Sequence, residues 1–305
     1  VIYIPKLDDD FKIIHKGRSE RSVTPLNYGD YFEDFNQYNP EKHVKVRCLN
    51  NDVDQGIIYP EDNNINTVVV HVHGGGFISM SSKTHTVHTK EIVKQTGVPM
   101  FSIDYRLAPE HPFPAAIEDV WGVYDWLVNY GLENMNLKPK NIIVMGDSAG
   151  ANLVCGITTL AIINKMRVPD EVIMIYPSLQ LSLGAVMPST LYSLTDPLLT
   201  INFSKVVFDA YTDGQKVKKD ITVNPLMLPN RILGNYPPTR ILAANKDVLR
   251  DEVYLFLSRA VEQEVDIKVT ELLHFPHGFL NYMSQKFGIK GAELGLAQVI
   301  NWINE

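Results

Sequence analysis

Short, unbroken apolar runs recur along the chain: TVVVHVHGGGF from Thr67, then PMFSIDY, NIIVMGD, EVIMIYPS, RILAANKD and DIKVTELLH. Segments with apolar residues at helical spacing separate them, among them KEIVKQTG, PAAIEDVWGVYDWLVNYG, AGANLVCGITTLAIINKM and DEVYLFLSRAVEQ, and ELGLAQVINWINE reads as a closing helix. A run that is apolar at every position suits a strand covered on both faces. Strands alternating with helices join through right-handed crossovers into a mostly parallel sheet with helices on either side. With 305 residues the chain is long enough to bury such a core in one α/β domain, spanning 1–305.

The pattern lapses twice. Residues 1 to about 40 are polar and aromatic without a clean period, and FEDFNQYNP reads as a short helix ended by Pro40. KVRCLN and QGIIYP, which follow, read as an antiparallel pair around a loop. Residues 179 to about 230 contain no strand pattern and read as a helical insertion over the edge of the sheet.

In NIIVMGDSAGANL a hydroxyl stands between two glycines at the carboxyl end of a buried strand, where ligands of such sheets collect. Gly146-Asp147-Ser148-Ala149-Gly150, placed between strand and helix, has the spacing of a nucleophile elbow. Small residues two before and two after Ser148 let strand and helix pass closely, and the helix N-terminus beside it favours developing negative charge. A serine hydroxyl needs a base, and the base needs an orienting carboxylate. In chain order after the serine, Asp247, Asp251 and Glu252 follow one apolar strand, and His274 and His277 follow the last. Asp247 directly ends its strand, and His277 precedes a turn-forming Gly278. Asp251 and Glu252 read as charge at a helix N-terminus, and His274 reads as a packed or surface residue still on its strand.

The HGGGF segment, His73 to Phe77, follows the first buried strand, and its glycines let main-chain N–H groups approach a substrate. Gly75 and Gly76, with the N–H of Ala149, fit as donors to an oxyanion. His71 and His73 share a strand face, an arrangement a metal can use. Neighbouring cysteines and carboxylates are missing from the local sequence, so metal ligands are assigned to none, and His73 reads as a brace for the glycine loop. Tyr105 and Arg106 in DYRLAPEHPFPAA read as braces at the same rim. Phe203, Val206, Val207 and Phe208 in the insertion suit either an acyl tunnel or plain core.

A net charge of −7 without a Lys/Arg block disfavours nucleic acid as a partner. Two cysteines, Cys48 and Cys155, are no disulfide framework and read as buried thiols of a reducing, cytoplasmic setting. No apolar run reaches membrane-spanning length and no secretory leader pattern opens the chain. A start at Val1 points to a processed chain or a piece of a longer one.

HGGGF, DYRLAPE, GDSAG and PHGF, in this order between about residues 66 and 283, resemble the hormone-sensitive lipase family of α/β-hydrolases. SKTH, RVPDEVIMIYPS and SLTDPLL resemble the catalytic domain of the eukaryotic members more than the small bacterial esterases. The resemblance implies an α/β-hydrolase fold: an eight-stranded, mostly parallel sheet flanked by helices, with a helical cap drawn from about 1–40 and about 179–230. It implies hydrolysis of small-molecule or lipid carboxylic esters without a cofactor, with Ser148 as nucleophile, Asp247 as orienting acid, His277 as base, and Gly75, Gly76 and Ala149 at the oxyanion. Relatives also form homodimers through an edge strand or the cap. Two features depart from the family: the large N-terminal domain and phosphorylated insertion of the mammalian members are not visible, and Asp247-Val248-Leu249 stands where Asp-Pro-Leu is common. An amidase or peptidase on the same fold, or a small-molecule receptor on an esterase scaffold, are the alternatives; such receptors lose the histidine that stands here at 277.

Overall fold

The unbroken apolar runs become neighbouring strands of one sheet. In the computed structural model, which describes residues 11–13, 44–49, 65–134, 137–181, 187–194, 196, 198–214, 217, 220–283 and 288–305, these are β1 (Phe11–Ile13), β2 (Val44–Leu49), β3 (Thr67–Val72), β4 (Met100–Asp104), β5 (Asn141–Asp147), β6 (Glu171–Ile175), β7 (Thr239–Ala244) and β8 (Ile267–Leu272). Their order across the sheet is β1-β2-β4-β3-β5-β6-β7-β8. β1 and β2 run antiparallel to their neighbours and the other strands are parallel.

Eight α-helices connect and cover the strands: α1 (Thr86–Thr96), α2 (Ala115–Trp126), α3 (Leu132–Asn134), α4 (Ala149–Ile163), α5 (Ile201–Thr212), α6 (Asn230–Leu233), α7 (Arg250–Glu262) and α8 (Ala292–Asn304), counted among the described residues. Side chains of a strand alternate between faces. Val68, Val70 and Val72 of β3 therefore meet Ile117 and Val120 of α2 and Leu153 and Ile157 of α4 in one core. Val69 joins Ile92 of α1 and Leu296, Val299 and Trp302 of α8 in the other. Burial on both faces is the physical reason that the middles of β3, β5 and β6 are apolar apart from His71. Helix ends follow local chemistry. α1 stops where Gly97 turns left-handed at φ 71° and its N–H bonds the Val93 carbonyl. α5 starts where Thr200 Oγ1 accepts the Phe203 N–H at 3.2 Å.

Three local expectations change. Phe11–Ile13, inside the stretch assigned to the cap, extends the sheet as β1, because three residues are too few to display a strand period. KVRCLN is a strand, but its antiparallel partners are β1 and β4; QGIIYP and FEDFNQYNP lie outside the described residues. His274 is past the end of β8, in a turn at φ 72°, and exposed. Among the described residues after β6, a 3-10 turn spans Pro188–Leu194 and α5 follows it.

Candidate active site

Parallel pairing in register brings the carboxyl ends of β3, β5, β6 and β7 to one edge, and the loops that leave them meet there. β5 passes directly into α4 through Ser148, whose backbone sits at φ 53°, ψ −118°. A non-glycine residue with such a backbone is strained and needs support from its surroundings. Support comes from the Ser148 N–H bonding the Ile175 carbonyl at 2.9 Å, and from the flanking glycines. A Cβ on Gly146 would lie 2.5 Å from the Gly150 main chain, and one on Gly150 would lie 2.0 Å from the Val72 carbonyl oxygen.

The hydroxyl meets an imidazole from the far end of the chain. Ser148 Oγ and His277 Nε2 are 2.9 Å apart, and His277 Nδ1 lies 2.8 Å from Asp247 Oδ2. A carboxylate only accepts, so Nδ1 carries the proton, and the Nε2 lone pair faces the hydroxyl. The second Asp247 oxygen accepts the Leu249 N–H at 2.8 Å, which fixes the carboxylate without the proline common at Val248. Asp247 and His277 are buried, and the Tyr176 ring stands edge-on to the imidazole at 5.1 Å. Burial alone lowers the His277 pKa, but the charge and hydrogen bond of Asp247 outweigh it and hold the imidazole above its ordinary 6.5.

Gly75, Gly76 and Ala149 line the same cavity as Ser148 and His277. Gly75 at φ 117° and Gly76 at φ 63° take backbone conformations that glycine adopts without strain. The loop that carries them is tied down behind the site. The Gly74 N–H donates to Asp147 Oδ1 at 2.9 Å, and Asp147 Oδ2 lies 3.1 Å from His85 Nε2. The Tyr105 hydroxyl donates to the His73 carbonyl at 2.9 Å and its ring stacks on His73 at 4.3 Å, while Arg106 pairs with Asp119 and Glu118. Burial pushes the Asp147 carboxyl up, but His85 overrides it, so Asp147 stays well below the usual carboxylate range.

The cavity is about 430 Å³. Leu198, Leu199, Phe203, Val207 and Phe208 form its cap side; Val206, read with them, faces outward at 56% exposure. Glu252 does more than charge a helix end: its carboxylate accepts the N–H groups of Leu179 and Gln180 at 2.7 and 2.9 Å and lines the cavity. Asp251 similarly accepts the Ser189 N–H at 2.8 Å. Sequence reasoning missed Asp147 and His85 as anchors. Their only local signal is a polar residue inside the glycine turn and a histidine at the start of α1.

A family model described as alpha/beta hydrolase fold matches residues 69–281. The chain is 41% identical over 145 residues to the hormone-sensitive lipase of Mus musculus, covering 48% of this chain and 19% of that protein. It thus spans about a fifth of the length of that lipase. It is 32% identical over 203 residues to an esterase of Acinetobacter venetianus, covering 66% of this chain and 63% of that esterase. Among solved structures it resembles a hyperthermophilic esterase from the archaeon Pyrobaculum calidifontis, with a TM-score of 0.75 and 27% identity over 86% of this chain and 81% of that one.

Proposed function

The chain belongs to the α/β-hydrolase fold family, and on that footing we propose that it is a carboxylic ester hydrolase working through an acyl-enzyme on Ser148. The observation that carries the reading is the continuous relay of Ser148 Oγ, His277 and Asp247, at 2.9 and 2.8 Å, opening on a cavity floored by bare glycines. The names of its relatives, lipase and esterase, point to the same chemistry.

In the proposed reaction His277 Nε2 takes the hydroxyl proton as Ser148 Oγ attacks the ester carbonyl carbon. The carbonyl electron pair moves to oxygen, and the N–H groups of Gly75, Gly76 and Ala149 stabilise the charge there. Collapse expels the alcohol, which takes the proton from His277. A water molecule, deprotonated by the same imidazole, then attacks the acyl-serine; the bond from acyl carbon to Oγ breaks, His277 returns the proton to Ser148 Oγ, and the acid leaves. Asp247 holds the imidazole tautomer and stabilises the imidazolium formed in each half.

Ser148→Ala tests this. The variant keeps the fold, since alanine removes one atom, and its turnover of p-nitrophenyl butyrate falls to background. A variant retaining near-wild-type turnover would refute the assignment. A fluorophosphonate probe labels Ser148 of a hydrolase and leaves a receptor unmodified, and parallel ester and amide substrates separate an esterase from an amidase or peptidase.

Among the described residues no helix is long and apolar enough to cross a membrane. Cys155 is a free, buried thiol, the state that a reducing compartment such as the cytoplasm preserves. The acidic balance speaks against nucleic acid as a partner. Light scattering tests whether the chain forms a homodimer through the edge strand or the cap.

A further inference from the structure

Behind the oxyanion loop, outside the substrate cavity, four histidines gather around one carboxylate. His71 of β3, His73 after it, His85 before α1 and His88 within α1 all lie near Asp147, and all five side chains are almost completely buried. His73 and His85 have partners: the Gly74 carbonyl at 2.7 Å, and Asp147 at 3.1 Å. The other two keep unpartnered ring nitrogens. His71 Nε2 and both ring nitrogens of His88 are buried without a hydrogen-bond partner among the described residues. Buried imidazole nitrogens are normally bonded, so three without a protein partner in one pocket point to a ligand there.

We propose that His71, His88 and Asp147 form a buried transition-metal site, suited to Zn²⁺, that ties β3, α1 and the nucleophile turn together. One ligand atom from each of the three lies within 4.8 Å of the others. His71 Nε2 is 3.9 Å from Asp147 Oδ1. Bonds of about 2.0–2.2 Å in a tetrahedral site bring ligand atoms to roughly 3.3 Å. His71 and Asp147 close by the difference when a metal binds, and the His88 ring, which no hydrogen bond holds among the described residues, turns to meet them.

The chemistry of the donors fits. His71 Nδ1 bonds Ser102 Oγ at 2.8 Å, and with Nδ1–H donating there the Nε2 lone pair is left pointing at the pocket. Fixing a ligand tautomer in this way is what outer hydrogen bonds do at metal sites. Asp147 accepts from Gly74 and faces His85, yet a carboxylate offers about four acceptor sites, so capacity for a metal remains. It also supplies the negative charge that a buried cation needs. The carboxylate company that the HVH stretch lacks in sequence arrives from β5. The partner of His71 is His88, not His73.

Because every candidate ligand is buried, the metal enters during folding rather than by soaking. The test is the zinc content of the full chain, produced in zinc-supplemented medium, passed over chelating resin and analysed by inductively coupled plasma mass spectrometry. One zinc per chain is expected, together with d–d absorption typical of tetrahedral Co²⁺ when the chain is refolded with cobalt. His88→Leu and His71→Leu lose the metal, while His88→Cys, which restores a ligand, keeps it. Circular dichroism verifies that each variant is folded; if the leucine variants do not fold, the wild-type metal content and cobalt spectrum decide alone. Wild-type protein with less than about 0.1 equivalent of zinc and no cobalt spectrum overturns the proposal. So does undiminished zinc in folded His88→Leu. Neither readout depends on ester hydrolysis, so the two proposals fail separately.

Discussion

His277 is held between two demands. In the proposed reaction its Nδ1–H must stay on Asp247, 2.8 Å away, and its Nε2 must stay unprotonated 2.9 Å from the hydroxyl it activates. Asparagine at 247 keeps the shape but can donate to Nδ1, which favours the tautomer with its proton on the wrong nitrogen. Asp247→Asn is expected to lower kcat by about 10³–10⁴-fold with a small effect on KM. Steady-state kinetics on p-nitrophenyl butyrate check it, and a loss below tenfold contradicts the role. The pH dependence has a fixed sign. The imidazole pKa is raised above 6.5, so kcat/KM falls as pH drops through a midpoint above 6.5 and His277 becomes protonated. Stability runs the opposite way: the raised group contributes fully below its unfolded value of about 6.5, and the contribution is lost as pH rises through the folded value. A kcat/KM that stays flat from pH 8 to pH 4 rules out a histidine base.

At the scale of elements, what was legible in the sequence is what depends on the backbone. Gly146 and Gly150 announce the turn because β5 and α4 pass so closely that a Cβ meets main-chain atoms. Gly150→Ala puts a methyl 2.0 Å from the Val72 carbonyl oxygen and is expected to destabilise the fold by about 3 kcal/mol, read as a lower urea midpoint. An unchanged midpoint means that β3 and α4 are not in contact there. Asp147 was not legible as an anchor, because its partner Gly74 is 73 residues away and no local pattern links them. Glu252 misled for the same reason: at the start of α7 it looks like helix-end charge, yet it serves the loop after β6. Burial pushes its carboxyl up to about 8 against the two N–H groups. A raised acid is a stability cost that grows as pH rises from its unfolded value of about 4.3 through that folded value. Glu252→Gln keeps an acceptor and removes the charge, so at pH 9 it is expected to match or exceed wild-type stability. Glu252→Ala strands two N–H groups and costs about 1–3 kcal/mol. Equal denaturation midpoints for the two variants would show that the loop does not depend on this acceptor.

Across the whole molecule, sheet and cap divide the work. The sheet was readable from unbroken apolar runs, because burial on both faces leaves that mark, and the site follows from which strand ends the topology brings together. The cap was readable only as helical. The period of α5 shows that Phe203, Val206, Val207 and Phe208 lie near one another, but not which of them turns toward a cavity built by loops far away in the chain. The structure puts Val207 inward, where a Cβ on Gly76 would come within 2.9 Å of its Cγ2, and Val206 outward. In the proposed reaction Val207 therefore stands beside the glycine loop, on the wall along which an acyl chain would run. Val207→Trp fills part of the roughly 430 Å³ cavity and leaves Ser148, His277 and Asp247 unsubstituted. Each methylene lost from an apolar pocket is worth about 10–200-fold in discrimination. The variant is expected to hydrolyse p-nitrophenyl acetate within about threefold of wild type while losing at least about tenfold in kcat/KM on the decanoate. A scan of kcat/KM from acetate to decanoate measures it. Parallel loss on every chain length would mean that the tryptophan disturbs the glycine loop itself, and an unchanged profile would place the acyl chain elsewhere in the cap.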